Sequence, residues 1–323
     1  MLFSLAVAQG CKILCDFKTR REGKFKMHGK EYFFVFGDFV NKLIWKLYAI
    51  VTRIVGDKVS LSDSERTPYI KYVKKVISSQ TEFSNFRKNY QYRIILEHVT
   101  RKQGNEYLLK MSKYSSNLLD FQEQAKSLSR IGNPRVFSYD GFGQISPTIL
   151  RYMATAAEIN YLFEFKESNV VTEVGIGYGG QLVMLSSLIN ISEYNAYDLP
   201  CVQALSKKFL KESGYVKSSD LLSSKDIYNI VSHASDLFIS NYAFSELPIN
   251  VQTEYLMKIA SHSKYGYMIM NSGLLNRTGR SSGKISIDLI RNIIPNIQLF
   301  PESPLTGPDN YLITWGNTKE PII

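Results

Sequence analysis

"VVTEVGIGYGGQLVMLSSL", residues 170–188, decides the fold: an apolar, β-branched run ends in four glycines within six positions, and an apolar helical pattern follows. Gly175, Gly177 and Gly180 satisfy G-x-G-x-x-G in the strand-turn-helix context that gives this pattern meaning. Glycines there allow unusual backbone angles and close approach of a ligand to the chain. Asp198 follows Gly177 by 21 positions, at the end of the next apolar run, "YNAYDL". An acidic side chain at that place accepts hydrogen bonds from both hydroxyls of an adenosine ribose.

Working outward, apolar strands and helices alternate. "CVQALSKKFLKES" reads as helix, "IYNIVS" and "DLFISN" as strands, "INVQTEYLMKIASHS" as helix and "YGYMIMN" as strand. This order implies a mostly parallel sheet with helices on both faces. "IQLF" and "NYLITWG", separated by a Pro/Gly-rich turn region, predict an antiparallel hairpin that closes the sheet. Upstream the signals are helical. Phe39 to Val55 form an amphipathic stripe with Asp38 as N-cap, which packs in a core or dimer interface or lies on a membrane. "TPYIKYVKKVISS" places Thr67 at a cap and Pro68 at the first helical position. "FRKNYQYRIILEHVTRKQG" predicts a helix that stops at Gly104, and "LSRIGNP" ends another.

The net charge of +10 is uneven. Residues 1–130 carry 24 basic and 12 acidic side chains, and the remainder 15 and 17, so the first part is +12 and the second −2. That asymmetry favours an anionic partner for the first part or a solvated basic surface. The division expected is 1–130, basic and mainly helical, and 131–323, an α/β domain. Three cysteines, Cys11, Cys15 and Cys201, without paired spacing argue against a disulfide framework, suggest no zinc motif and fit a reducing, cytoplasmic setting. No apolar run escapes charge for long enough to span a bilayer, which leaves peripheral membrane contact and self-association as options. No stacking or RNA-binding module argues for a nucleic-acid partner.

The glycine turn alone leaves a nicotinamide cofactor and S-adenosylmethionine open. No tyrosine has Lys four positions on, so the Tyr-x-x-x-Lys acid of a short-chain dehydrogenase is missing. "GNPRVF", "ISPTILRYMATAAEINYLF", "VVTEVGIGYGGQ", "YDLPCVQALSKKFL", "DLFISNYAFSELP", "QTEYLMKIASHSKYGYMIMNS" and "PLTGPDNYLITWG" together resemble the bacterial sugar O-methyltransferase family, over roughly residues 83–316. The resemblance implies a Rossmann-like class I methyltransferase sheet, S-adenosylmethionine as cofactor, and transfer of a methyl group to a sugar hydroxyl. The sugar is nucleotide-activated or part of a surface polysaccharide such as capsule or O-antigen. Glu173, inside the first strand end, stands where methyltransferases use a carboxylate to organise the loop near the methionine amino group. The rival readings are an NAD(P)-dependent oxidoreductase and a noncatalytic Rossmann-like interaction protein.

Ligands of open α/β sheets bind outside the carboxyl ends of the strands. Those ends supply Glu173, Gly175, Gly177, Gly180, Asp198, Ser240 and Asn241 for the cofactor, and Tyr242 and Asn271 for the acceptor. Tyr139 and Ser146, in "YDGFGQISP", are expected to fold over the cofactor. Methyl transfer needs alignment and a base for the hydroxyl proton. Glu246 leads for that role, with its alternative as a helix N-terminal carboxylate; His233 and Glu302 are further catalytic candidates. Asp236 and Glu246 are close in sequence, but no dense oxygen-ligand motif recurs, so no metal is expected.

Overall fold

The structure is a computed structural model that describes residues 65, 68–114, 121–214, 222–271 and 285–322. The chain divides into two compact units, Met1–Gly56 and Asp57–Ile323, and every described residue belongs to the second. The stripe from Phe39 to Val55, its cap Asp38, and Thr67 lie outside the described residues.

Helix α1, Tyr69–Ser78, buries Tyr69, Tyr72, Val73 and Val76, one stripe at helical spacing, and leaves Lys71, Lys74 and Lys75 exposed. Two single turns follow, Gln80–Phe83 and Tyr90–Arg93, capped by Ser79 and Asn89. The continuous helix expected through this stretch is interrupted because Thr100 and Gln103 form a reciprocal cap. The Gln103 amide donates to Thr100 Oγ1 at 3.2 Å, and the Thr100 amide donates to Gln103 Oε1 at 2.9 Å. They start α2, Arg101–Tyr114, so Gly104 lies inside a helix rather than ending one. A Cβ on Gly104 would stand 2.1 Å from Tyr139 Oη, which accounts for the glycine. Next come α3, Gln122–Leu128, and a hairpin of β1, Phe137–Tyr139, and β2, Gly143–Ile145. Helix α4, Pro147–Leu162, is buried on nearly every side and packs on α2.

The remaining elements are β3, Asn169–Val174; α5, Gly180–Leu185; β4, Ile191–Asp198; α6, Pro200–Glu212; β5, Leu222–Asp226; and β6, Ser235–Asn241. After them come α7, Ile249–Lys258; β7, Ser263–Met270; α8, Ile287–Ile293; β8, Gln298–Pro301; and β9, Tyr311–Trp315. The sheet order is β5-β4-β3-β6-β7-β9-β8, parallel from β5 to β7, with β9 antiparallel to both neighbours. This is the Rossmann-like class I methyltransferase sheet, with the expected closing hairpin. One strand is displaced from its sequence-based position: β5 is "LSSKD", and "IYNIVS" lies beyond its end. As an edge strand paired only with β4, β5 stays half exposed and shows no apolar run, whereas Ile227 and Ile230 bury as loop residues.

The segment before the sheet is locked to it by a buried cation. Arg87 donates from Nε to Glu97 at 2.5 Å, from Nη1 to the Leu128 carbonyl at 2.7 Å, and from Nη2 to Ser146 Oγ at 3.2 Å. Its guanidinium also lies 4.8 Å from the centre of the Tyr178 ring. Removing one member of a buried pair strands the other charge. Glu97→Ala is therefore expected to lower unfolding free energy by about 3–5 kcal/mol in urea titration.

Candidate functional site

The parallel strands bring their carboxyl ends to one edge, and the sheet order sets the sequence of side chains along it. Asp226 ends β5, Asp198 ends β4, the glycine turn follows β3, Asn241 ends β6, and Asn271 follows β7. Asp198 and Asp226 are register partners, as are Asn241 and Ile269. With strands about 4.8 Å apart, this row spans about 19 Å, enough for a nucleoside joined to an amino acid and an acceptor beyond it.

Asp198 is the anchor of the turn. Its Oδ2 accepts from the Gly177 amide at 3.0 Å and its Oδ1 from the Leu199 amide at 2.7 Å. Gly175 and Gly177 have φ of +89° and +58°, which only glycine takes without strain. A Cβ on Gly175 would meet Ala243 Cβ at 2.2 Å, and one on Gly177 would meet Leu96 at 3.3 Å. Gly180 faces the Tyr152 ring. The glycines therefore also admit the protein's own side chains, a use that the pattern in the sequence does not reveal. Glu173, on the opposite side of the β3 backbone from Thr172, accepts from Tyr194 Oη at 2.6 Å and is buried between strands.

At the end of β6 the chain turns sharply. Tyr242 takes φ +70°, and its amide donates to the Ile269 carbonyl at 2.8 Å. Its hydroxyl donates to Glu302, which also accepts the Thr306 amide at 2.9 Å and the Thr306 hydroxyl at 2.7 Å. Tyr242 and Glu302 are thus brought together as a brace for a strained turn, and these bonds occupy the carboxylate of Glu302, one of the further catalytic candidates. The Ser240 hydroxyl donates to the Val174 carbonyl and accepts the Phe244 amide, joining β6 to β3. Asn241 differs: its Oδ1 is buried without a hydrogen-bond partner. Glu246 ends the 3-10 turn Ala243–Glu246, two residues short of α7's N-cap, and accepts from Asn271 Nδ2 at 3.3 Å. The structure therefore groups Glu246 with Asn271 at the β7 end of the row.

Three expected site residues are held elsewhere. Tyr139 packs on Gly104 of α2, and the Ser146 hydroxyl serves the Arg87–Glu97 pair, accepting from Arg87 and donating to Glu97 Oε2 at 3.3 Å. Hydrogen bonds occupy both ring nitrogens of His233, at 2.9 Å to Thr172 Oγ1 and 3.0 Å to the Val231 carbonyl, and its ring stacks on Tyr197. Asp236, the second residue of β6, accepts the Val170 amide at 2.9 Å and is a strand length from Glu246. Sequence reading missed Asp226 because it placed the strand after that residue instead of before it.

Burial pushes the Glu173 carboxyl up to about 8, with the Asp198 charge adding to the rise and the Tyr194 hydrogen bond opposing it. Burial likewise pushes Asp198 up to about 7 against its two amide donors.

No family model matches this chain, and no curated protein matches it. Among solved structures, it is similar to PigF with SAH at 14% identity, over 52% of this chain and 58% of that one, with a TM-score of 0.37. An O-methyltransferase family protein from Burkholderia thailandensis is 12% identical over 52% of this chain and 56% of that one, TM-score 0.38. Geranyl diphosphate C-methyltransferase from Streptomyces coelicolor A3(2) is 10% identical over 52% and 77%, TM-score 0.39. The chain spans less than two thirds of the length of the first two. The fold assignment stands on the strand order and not on these likenesses.

The raised carboxyls make stability depend on pH. The native state keeps protons that the unfolded chain, with carboxyl values near 4.5 and 3.8, has already released. Stability is therefore fullest below about pH 4 as far as these two groups are concerned and falls as pH rises through the window up to about 8. Thermal unfolding between pH 5 and 8 is expected to show a declining Tm, and Glu173→Gln is expected to flatten the upper part of that decline.

Proposed function

We propose that this protein is an S-adenosylmethionine-dependent O-methyltransferase whose acceptor is a sugar hydroxyl, nucleotide-linked or in a surface polysaccharide. The observation that carries the cofactor reading is the row Asp226, Asp198, glycine turn, Asn241 along the carboxyl edge, with Asp198 bonded to Gly177. The donor set fits the group: two carboxylates for the amino and hydroxyl donors of adenosine, and an unsatisfied amide oxygen for an ammonium. A nicotinamide dinucleotide suits the edge less well. The sheet carries an antiparallel strand between β7 and β8, unlike the all-parallel order 3-2-1-4-5-6 of the dinucleotide fold. The acceptor class rests on the motif resemblance, notably "SNYAFSEL".

When bound, the cofactor supplies a methyl group on a sulfonium. Asp198 holds the ribose hydroxyls, and Asp226 accepts from the adenine amino group. Asn271 orients the acceptor and Glu246. In this reading Glu246 would take the acceptor hydroxyl's proton as the oxygen bonds the methyl carbon and that carbon's bond to sulfur breaks, the sulfur keeping the electron pair and the neutral homocysteine product leaving. The tight turn with Tyr242 and Glu302 fixes the distance between β6 and this base.

Asp198→Ala is expected to weaken S-adenosylhomocysteine binding at least about 100-fold by calorimetry, because two hydrogen bonds to a charged acceptor are lost. Unchanged binding removes the cofactor assignment. Glu246→Gln is expected to lower turnover about 100-fold or more while leaving that affinity within about twofold. Turnover is read as mass-detected methyl transfer across a panel of sugar nucleotides; if every sugar in the panel stays unmethylated, the acceptor class is wrong.

A further inference from the structure

Helix α4 carries two charged side chains, and they are treated differently. Glu158 is fully served: Lys110 Nζ lies 2.7 Å from its Oε2, Tyr267 Oη 2.5 Å from the same oxygen, and Tyr114 Oη 2.8 Å from Oε1. Arg151 is equally buried, 5% exposed, yet it forms no ion pair with any carboxylate among the described residues. Its Nη2 donates to the Leu96 carbonyl at 3.3 Å, and its Nη1 is buried with no hydrogen-bond partner. The ring centres of Tyr152 and Tyr242 lie 5.5 Å and 5.7 Å from the guanidinium carbon. Such faces attract a cation but satisfy none of its N–H groups. Arg87, a short way off, shows what the same fold does with a structural arginine: it gives it Glu97 and three further acceptors.

The neighbours of Arg151 place it at the cofactor edge. Leu96, which holds its Nη2, is the residue against Gly177; Tyr152 lies over Gly180; and Tyr242 directly follows Asn241. The guanidinium therefore stands between the glycine turn and the end of β6, where an acceptor without a partner, Asn241 Oδ1, is also buried; Gln181 and Asn195 hold the other such amide oxygens among the described residues. An unpaired donor of fixed positive charge and an unpaired acceptor on one edge are the two halves of a receptor for an α-amino-acid zwitterion. We infer that Arg151 binds the carboxylate, and Asn241 the ammonium, of the amino-acid end of the cofactor. This rests on the cofactor reading above and adds to it a residue that distinguishes S-adenosylmethionine and its homocysteine product from adenine nucleosides that lack the amino acid. An arginine suits the task because it stays charged when buried and offers two parallel donors to a carboxylate.

The test compares two probes, S-adenosylhomocysteine and 5′-methylthioadenosine, which share the nucleoside and differ in the amino-acid end. Both are titrated against the full chain, Arg151→Met and Arg151→Lys by calorimetry, with thermal unfolding of each free protein alongside. Arg151→Met is expected to weaken S-adenosylhomocysteine about 10- to 100-fold, as loss of a charged hydrogen-bonded pair does, and to leave 5′-methylthioadenosine within about twofold. Arg151→Lys, which keeps the charge but not the fork, is expected to lie between. Free Arg151→Met is expected to unfold no earlier than the parent, since it removes a buried charge that has no carboxylate partner. Equal loss of both probes, or a lowered Tm in the free variant, makes Arg151 a packing residue and overturns the inference. Undiminished S-adenosylhomocysteine binding overturns it as well. If the parent chain binds neither probe, the cofactor reading itself fails and this assignment with it.

Discussion

The hydrogen bond from the Gly177 amide to the Asp198 carboxylate ties the end of one strand to the turn that follows its neighbour. A charge-assisted bond of this kind contributes about 1.5–3 kcal/mol, and here it also sets geometry. It holds the positive-φ turn in the shape from which α5 starts. The Leu199 amide fixes the other oxygen at the start of α6. Two strand-to-helix connections thus share one carboxylate, and the distance between them becomes a property of the sheet.

From that constraint the rest of the edge follows in order. Parallel pairing with register partners Asp198 and Asp226 places a second carboxylate one strand outward. Pairing of β3 with β6 places Asn241 one strand inward, and β7 adds Asn271 beyond it. The antiparallel β9 then covers the far edge of β7, so that Glu302, just after β8, can reach back to Tyr242. The chain after β6 is held at an unusual backbone angle by this brace and by the Ser245 hydroxyl, which accepts the Asn271 amide and donates to the Tyr242 carbonyl. Glu246 is the one carboxylate of the turn that lies next to Asn271 and is not part of the brace.

How much of this the sequence discloses depends on whether a residue's reason is local. The strands β3, β4, β6 and β7 are central and apolar, and the glycine turn needs its angles wherever it is placed, so these read directly. The edge strand β5 does not, because "LSSKD" owes its conformation to one neighbour, and its misplacement hid Asp226. Gly104 looked like a helix stop because the Tyr139 ring that requires it comes 35 residues later. Ser146, Ser240, His233 and Glu302 were legible as polar groups near strand ends. Their partners, which are carbonyls, amides and side chains from distant segments, are what assign them to holding the frame.

Nothing in the sequence singles out Arg151, one arginine in "PTILRYMATAA"; its burial and its partners in the fold give it meaning. A buried ion that lacks a counter-charge costs several kcal/mol in free energy, so a fold that merely needed packing at that place would do better with methionine or leucine. The fold has the means to pair a buried arginine and does so at Arg87, whose carboxylate partner is only ten residues away in the chain. An acidic side chain placed to neutralise Arg151 would equally have neutralised the glycine edge toward an anion. An amide, Asn241, stands at the end of β6 instead, with an oxygen that accepts and adds no charge. At this place in the fold the donor and acceptor without partners, Arg151 Nη1 and Asn241 Oδ1, have the polarity of an amino acid's two ends.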